Sequence, residues 1–111
     1  MNDCIFCKII KGEIPTKKFY EDKHCIIIED INKIAKKHYL LIPKNHYALL
    51  EEAKLKDQIS LGKSLKKLTT LKQELGLENG YRLIVNQGKD AGQTVHHLHL
   101  HILGGELLRW E

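Results

Sequence analysis

No stretch of this chain approaches the roughly 18 consecutive apolar residues of a transmembrane helix, so a membrane span is not expected. The opening Met1-Asn2-Asp3-Cys4 lacks the basic-then-apolar layout of a secretory signal, which makes the cytoplasm the expected address. Cysteine is scarce and odd in number, at three, and this argues against a disulfide framework. Low-complexity segments, internal repeats and linkers are absent from the 111 residues, a length in the common range for a single domain, 1–111. A hydrophobic content of 42% suffices for a packed core. The charge imbalance is small, +4 from 18 Lys+Arg against 14 Asp+Glu. Lys54, Lys56, Lys63, Lys66, Lys67 and Lys72 cluster in one segment that has neither arginine nor aromatic residues. Nucleic-acid binding would interleave both with the charge. The lysines therefore read as a solvated helix face, and no nucleic-acid partner is expected.

What the chain does contain is a pattern of short strands around one helix. Residues 4–10 form an apolar opening of one or two helical turns, followed by Gly12 and Pro15. Lys18–Glu21 and Cys25–Glu29 read as strands joined by a polar turn, and His38–Ile42 as a third that stops at Pro43. Between Ala53 and Leu77, Leu55, Ile59, Leu61, Leu65, Leu68, Leu71 and Leu75 recur at threes and fours, the period of an amphipathic helix. Gly76 or the Asn79-Gly80 turn would close it. Tyr81–Asn86 and Val95–Leu103 are the last two strands. The order ββ-β-α-ββ predicts an α+β fold, an antiparallel sheet with one long helix packed on it and a short N-terminal helix.

The last strand carries the chemistry. It reads Val95-His96-His97-Leu98-His99-Leu100-His101-Ile102-Leu103 and holds four of the seven histidines. Successive strand side chains point to opposite faces. His97, His99 and His101 should thus share a face while Leu98, Leu100 and Ile102 enter the core. Imidazole, with an unperturbed pKa of about 6.5, is suited to chemistry or to a metal near neutrality. Histidines two apart on a strand commonly hold zinc, and a catalytic site of that kind would leave a coordination position open. The rival is a histidine nucleophile that attacks phosphorus through one nitrogen while the other is held by an acceptor. Leading into this strand, Asn86-Gln87-Gly88-Lys89-Asp90-Ala91-Gly92-Gln93-Thr94 can curl its N–H groups inward for phosphate oxygens, with Asn86, Gln93 and Thr94 as side-chain donors. That loop favours the nucleophile. Cys4-Ile5-Phe6-Cys7 is a Cys-x-x-Cys pair, half of a zinc site or simply two reduced thiols. Cys25, in an apolar strand, reads as an inert core thiol.

The run from Gly92 to Gly105 resembles the motif of the histidine triad (HIT) superfamily, His-φ-His-φ-His-φ-φ with φ apolar. Ile5–Ile10 with Glu13-Ile14-Pro15, Glu29-Asp30-Ile31, His38–Lys44 with His46, and Gly80-Tyr81-Arg82 with Val85-Asn86 extend the resemblance to the Hint branch, over roughly Ile5 to Trp110. A uridylyltransferase-like member would have Pro inside the triad and a longer chain. An aprataxin-like member would add a DNA-binding finger. The resemblance implies a homodimeric hydrolase that cleaves purine nucleoside 5′-phosphoramidates through a nucleotidyl-histidine intermediate, without a catalytic cofactor. By position, His99 would be the nucleophile. His101 would contact the phosphate and assist the leaving group, with His97 and His38 beside them. Asn86, Gly92, Gln93 and Thr94 would hold the α-phosphate. Asp30 would take the ribose hydroxyls with Ile31 nearby, and Ile5, Phe6, Ile9, Ile14 and Ile28 would form the slot for the base.

Some bacterial members of the family hold a structural zinc, and the matching ligands here would be Cys4, Cys7, His46 and His97. Three departures from the Hint pattern stand out. Thr94 replaces the usual Ser, His96 stands where an aromatic is common, and the chain stops at Trp110-Glu111, short of a longer tail. Two other classes compete with the phosphoramidase: a zinc-dependent hydrolase using the triad as ligands, and a nucleotide-binding regulatory module with vestigial activity.

Overall fold

The computed structural model describes residues 3–110, so Met1, Asn2 and Glu111, which entered the reading of the two ends, lie outside the described residues. Helix α1 (Ile5–Ile10) is followed by strands β1 (Lys18–Glu21), β2 (Cys25–Glu29) and β3 (Lys37–Pro43). Helices α2 (Leu55–Leu68) and α3 (Lys72–Leu75) precede β4 (Tyr81–Ile84) and β5 (Leu100–Gly104). All five strands form one antiparallel sheet in the order β1-β2-β3-β5-β4, the expected α+β class.

The sheet separates two apolar clusters by strand parity. Cys25, Ile27, Tyr39, Leu41, Leu100 and Ile102 pack with Leu68, Leu71, Leu75, Leu77 and Leu98 on the face covered by α2 and α3. Ile26, Ile28, Leu40 and Ile42 pack with Phe6 and Ile9 of α1 on the other. Leu98, Leu100 and Ile102 thus enter the core as their alternation demanded. Register pairs Leu40 with His101, which sets His38 and His101 on the α1 face.

Strand β4 stops at Ile84, short of the expected Asn86, and two elements depart further from expectation. The helix between Ala53 and Leu77 is broken, because Thr69 and Thr70 turn their hydroxyls back onto the carbonyls of Lys66 and Lys67, at 2.6 and 2.7 Å. Such local bonds compete with the helical ladder. The break lets Leu71 and Leu75 seat, and the Tyr39 hydroxyl donates to the Leu75 carbonyl at 2.7 Å. At the other end, Asp57 reaches back to accept the Lys54 N–H at 3.0 Å and starts α2. The second departure is the histidine strand, which begins only at Leu100. Residues 95–99 approach the sheet without joining its ladder. Pro43 has no N–H to offer, its carbonyl accepts from the His97 ring at 2.7 Å, and the Leu98 N–H donates to the Tyr47 carbonyl at 2.7 Å.

The six clustered lysines are all exposed, as a solvated face requires. Leu55 and Ile59 are left 70% and 51% exposed, and Leu83 of the edge strand β4 is 40% exposed. Among the described residues no helix is long and apolar enough to cross a membrane. Cys25 is buried, and that burial pushes its thiol up to about 11, so it is inert near neutrality.

Candidate active site

The three triad imidazoles leave one short segment for three different surroundings. His97 is fully buried, with Nε2 against the Pro43 carbonyl at 2.7 Å. A carbonyl only accepts, so Nε2 holds the ring proton and Nδ1 keeps its lone pair. That lone pair meets His46 Nδ1 at 3.1 Å, Cys4 Sγ at 3.4 Å and Cys7 Sγ at 3.6 Å. Cys7 Sγ is 3.2 Å from His46 Nδ1, and the four ligand atoms all lie within 4.8 Å of one another. Tetrahedral zinc with Zn–N near 2.0–2.1 Å and Zn–S near 2.3 Å spaces its ligands at ~3.3–3.8 Å. Two thiols, an imidazole whose tautomer is already set by a carbonyl, and this spacing fit a structural zinc. Burial drives the His97 pKa down to about 4, with His46 and His99 adding to the effect against the Pro43 carbonyl, so its ring is the neutral ligand a metal needs.

His99 is held differently. Its Nδ1 lies 2.8 Å from the backbone carbonyl of His97, so Nδ1 carries the proton and donates, leaving the Nε2 lone pair free of the backbone. Phe6 of α1 sets its ring edge-on to His99 at 4.9 Å and to His97 at 5.9 Å.

His101 pairs with His38, Nδ1 to Nε2 at 2.9 Å. The Ile34 N–H donates to His38 Nδ1 at 3.2 Å, which puts the His38 proton on Nε2, facing His101 Nδ1. Neutral His101 therefore carries its own proton on Nε2. Asp30 Oδ2 lies 3.3 Å from His38 Nε2 and 3.8 Å from His101 Nδ1. Burial lowers the pKa of both imidazoles; His99 and His38 lower His101 further, while Asp30 opposes the shift in each. Asp30, His38 and His101 also lie close enough to share a cation. The Ile34 amide argues against it, because His38 Nε2 then has a proton where a metal would need a lone pair. Nor do His97, His99 and His101 aim at one point, which removes the geometric basis for a single metal held by the triad.

The connection before the triad is stapled from within. The Gln93 amide is buried and donates to the carbonyls of Ala48 and Val95 at 2.9 and 3.3 Å, while its oxygen accepts the Gly88 N–H at 2.8 Å. The N–H groups of Ala91, Gly92 and Gln93 close on Gly88 and Lys89 carbonyls. Gln93, expected as a donor to phosphate, has thus spent its polar atoms shaping the loop. Gly88 and Gly92 stand at φ +88° and +82°, a backbone region that L side chains rarely adopt, and a Cβ on either would meet open space. Thr94 is exposed and Asn86 half-buried.

The expected base slot is partly a core. Phe6, Ile9 and Ile28 are buried together and Ile14 packs against them. Ile5 instead lines a hollow of about 430 Å³ with Asp3, Cys4, His46, Thr94, Val95 and His96. Ile31, beside Asp30, is 92% exposed. Sequence reasoning passed over the Pro43 carbonyl and the Ile34 amide, which set the tautomers of His97 and His38. As backbone groups they leave no mark in residue identity.

The fold and this histidine geometry define a class, and comparison with known proteins agrees. The HIT domain model matches residues 11–107. Protein HitA of Neisseria gonorrhoeae is 44% identical over 104 residues, covering 94% of this chain and 97% of that protein. A HIT family hydrolase from Clostridium thermocellum superposes with a TM-score of 0.91 at 45% identity, over 100% of this chain and 97% of the other. A Zn-bound histidine triad family protein from Mycobacterium smegmatis gives a TM-score of 0.79 at 32% identity, over 94% and 76%. The chain belongs to the HIT family, and its fold is that of HIT family hydrolases.

Proposed function

We propose that the chain is one HIT domain acting as a nucleotidyl hydrolase on purine nucleoside 5′-phosphoramidates, with His99 as nucleophile. The observation that carries this reading is the 2.8 Å contact between His99 Nδ1 and the His97 carbonyl, which leaves Nε2 as the attacking lone pair. Nε2 forms a bond to the α-phosphorus as the P–N bond to the amine breaks. The electron pair departs with the amine, which takes up a proton from solvent while neutral His101 donates its Nε2–H to a phosphoryl oxygen. The carbonyl of His97 then stabilises the positive charge on the nucleotidyl-imidazole. Water attacks phosphorus next, the pair of the P–Nε2 bond returns to His99, and the water's proton passes to solvent. His38 holds His101 in register.

Thr94 and Asn86 hold the phosphate, with Gly92 letting the loop turn beside it and Gln93 bracing the loop. Asp30 takes the ribose hydroxyls, and Ile14 with Phe6, Ile9 and Ile28 flanks the base. A zinc ion at Cys4, Cys7, His46 and His97 supplies a structural cross-link, and no chemical step requires it. The Zn-bound relative supports this part of the reading. A homodimer sharing the edge strand β4 and the α2 face would bury Leu83, Leu55 and Ile59.

The test is a single-turnover reaction with adenosine 5′-phosphoramidate labelled at phosphorus. Label should appear on the protein as an acid-labile adduct, AMP should follow, and His99→Ala should abolish both. A His99→Ala protein retaining more than a tenth of the rate, a loss below ~1.4 kcal/mol in barrier, would refute the assignment.

A further inference from the structure

His97 belongs to both halves of the site. Its ring faces Cys4, Cys7 and His46, and its carbonyl accepts the proton that decides which nitrogen of His99 is free. The ring is anchored at Nε2 by the Pro43 carbonyl at 2.7 Å, and the following amide, Leu98 N–H, is held by the Tyr47 carbonyl at 2.7 Å. A ring fixed at Nε2, and at Nδ1 as well once an ion is bound, leaves the peptide between His97 and Leu98 little room to rotate. That peptide carries the carbonyl facing His99.

A second connection runs through α1. Cys7 and Phe6 are neighbours on that helix, and Cys4 caps it, its Sγ accepting the Cys7 N–H at 3.4 Å. Phe6 packs its ring against both His97 and His99. Closing the four ligands on an ion would therefore hold α1, the Phe6 ring and the His97 peptide as one unit around the nucleophile. Without an ion, His97 Nδ1 faces two thiols and a second imidazole at 3.1–3.6 Å, hydrogen-bonding neighbours weaker than a metal–nitrogen bond.

We propose that His97 is a positioning residue that couples the Cys4–Cys7–His46 centre to His99, so that a filled centre fixes the aim of the nucleophile. The inference rests on the readings of His99 as nucleophile and of the four-residue centre as a zinc site. It differs from a purely structural zinc in one respect: metal loss disturbs the His99 hydrogen bond before it unfolds the chain. The coupling is reciprocal in binding, so a nucleotide seated at His99 must tighten metal affinity by the same factor that metal tightens the nucleotide.

The experiment uses the full chain stripped by chelation, then reconstituted with zinc, with both forms held well below their melting temperatures. Ring-nitrogen NMR of ¹⁵N-histidine protein reads the His99 tautomer, and single-turnover kinetics with adenosine 5′-phosphoramidate read the rate. Zinc-loaded protein should show His99 as a single Nδ1–H form. Stripped protein, still folded by its backbone amide spectrum, should show mixed tautomers and at least a tenfold slower turnover, with both effects reversed by zinc. His46→Gln gives an independent arm, because His46 is the exposed ligand and its replacement spares the buried core. That variant should behave as stripped protein even with zinc present.

A stripped protein that keeps the His99 signature and a rate within twofold, while zinc loads stoichiometrically and His99 still becomes labelled, would overturn the coupling and leave both underlying readings intact. Failure to load zinc would overturn the proposal through the metal reading. Turnover surviving in His99→Ala would do so through the nucleophile reading.

Discussion

Gln93 offers a sharp test of how the loop before the triad is built, because two roles for it predict opposite results. Gln93→Leu keeps the volume and removes three contacts: the bond from Gly88 N–H and the bonds to the Ala48 and Val95 carbonyls. Gly88, Ala48 and Val95 are half-buried, so water reaches part of each orphaned group and the cost per bond falls at the low end of the usual range. About 1 kcal/mol apiece gives roughly 3 kcal/mol against the closed loop. Gln93→Glu should be no milder. It keeps an acceptor for Gly88 N–H but turns a carboxylate toward two carbonyl oxygens. The assay is amide hydrogen exchange at Gly88, Ala91, Gly92 and Gln93, read beside AMP affinity and turnover. Both variants should speed exchange at these amides by up to about a hundredfold and lower kcat/KM by a similar limit, since each 1.4 kcal/mol is worth tenfold. Had Gln93 served by donating to phosphate, its loss would raise KM and leave loop exchange unchanged. That pattern would refute the staple.

Three further outcomes follow from the same geometry. Metal-free protein should lose stability as pH falls from 6.5 toward 4, because unfolded His97 takes up a proton there and the folded residue, with a pKa of about 4, does not. The loss by pH 4.5 is about 2.5 kcal/mol, read by thermal melts, and His97→Gln should flatten the slope between about pH 6.5 and 5, above the range where most carboxylates titrate. Ile102→Ala, emptying a fully buried site between the sheet and the α2–α3 layer, should cost 2–5 kcal/mol in denaturant melts, and a cost under about 1 kcal/mol would contradict the packing described. If β4 and α2 form a dimer seam, the double substitution Leu83→Lys, Ile59→Lys should shift light scattering from twice to once the 12.8 kDa chain mass, whereas a wild-type particle already at 12.8 kDa would dispose of the interface.

The alternation of Leu98, Leu100 and Ile102 with the triad histidines was legible in the chain, since strand parity is a local property and held even where the ladder did not form. The same is true of the sheet class, of most element positions, and of the Cys-x-x-Cys spacing on the first helical turn. Tertiary structure alone decided what each imidazole does. His97 takes its tautomer from a carbonyl 54 residues away, and His38 reaches His101 across 63. No pattern of residue types specifies which nitrogen of a ring meets an acceptor. The helix break at Thr69 and Thr70 and the inward turn of Gln93 escaped for a related reason. Each is a side chain choosing between water and backbone, and that choice depends on what the rest of the fold brings within reach. Sequence placed the histidines in a row; packing sent one to the cysteines, one to its neighbour's carbonyl and one to a fourth histidine, because backbone carbonyls and amides carry no residue identity until the chain has folded around them.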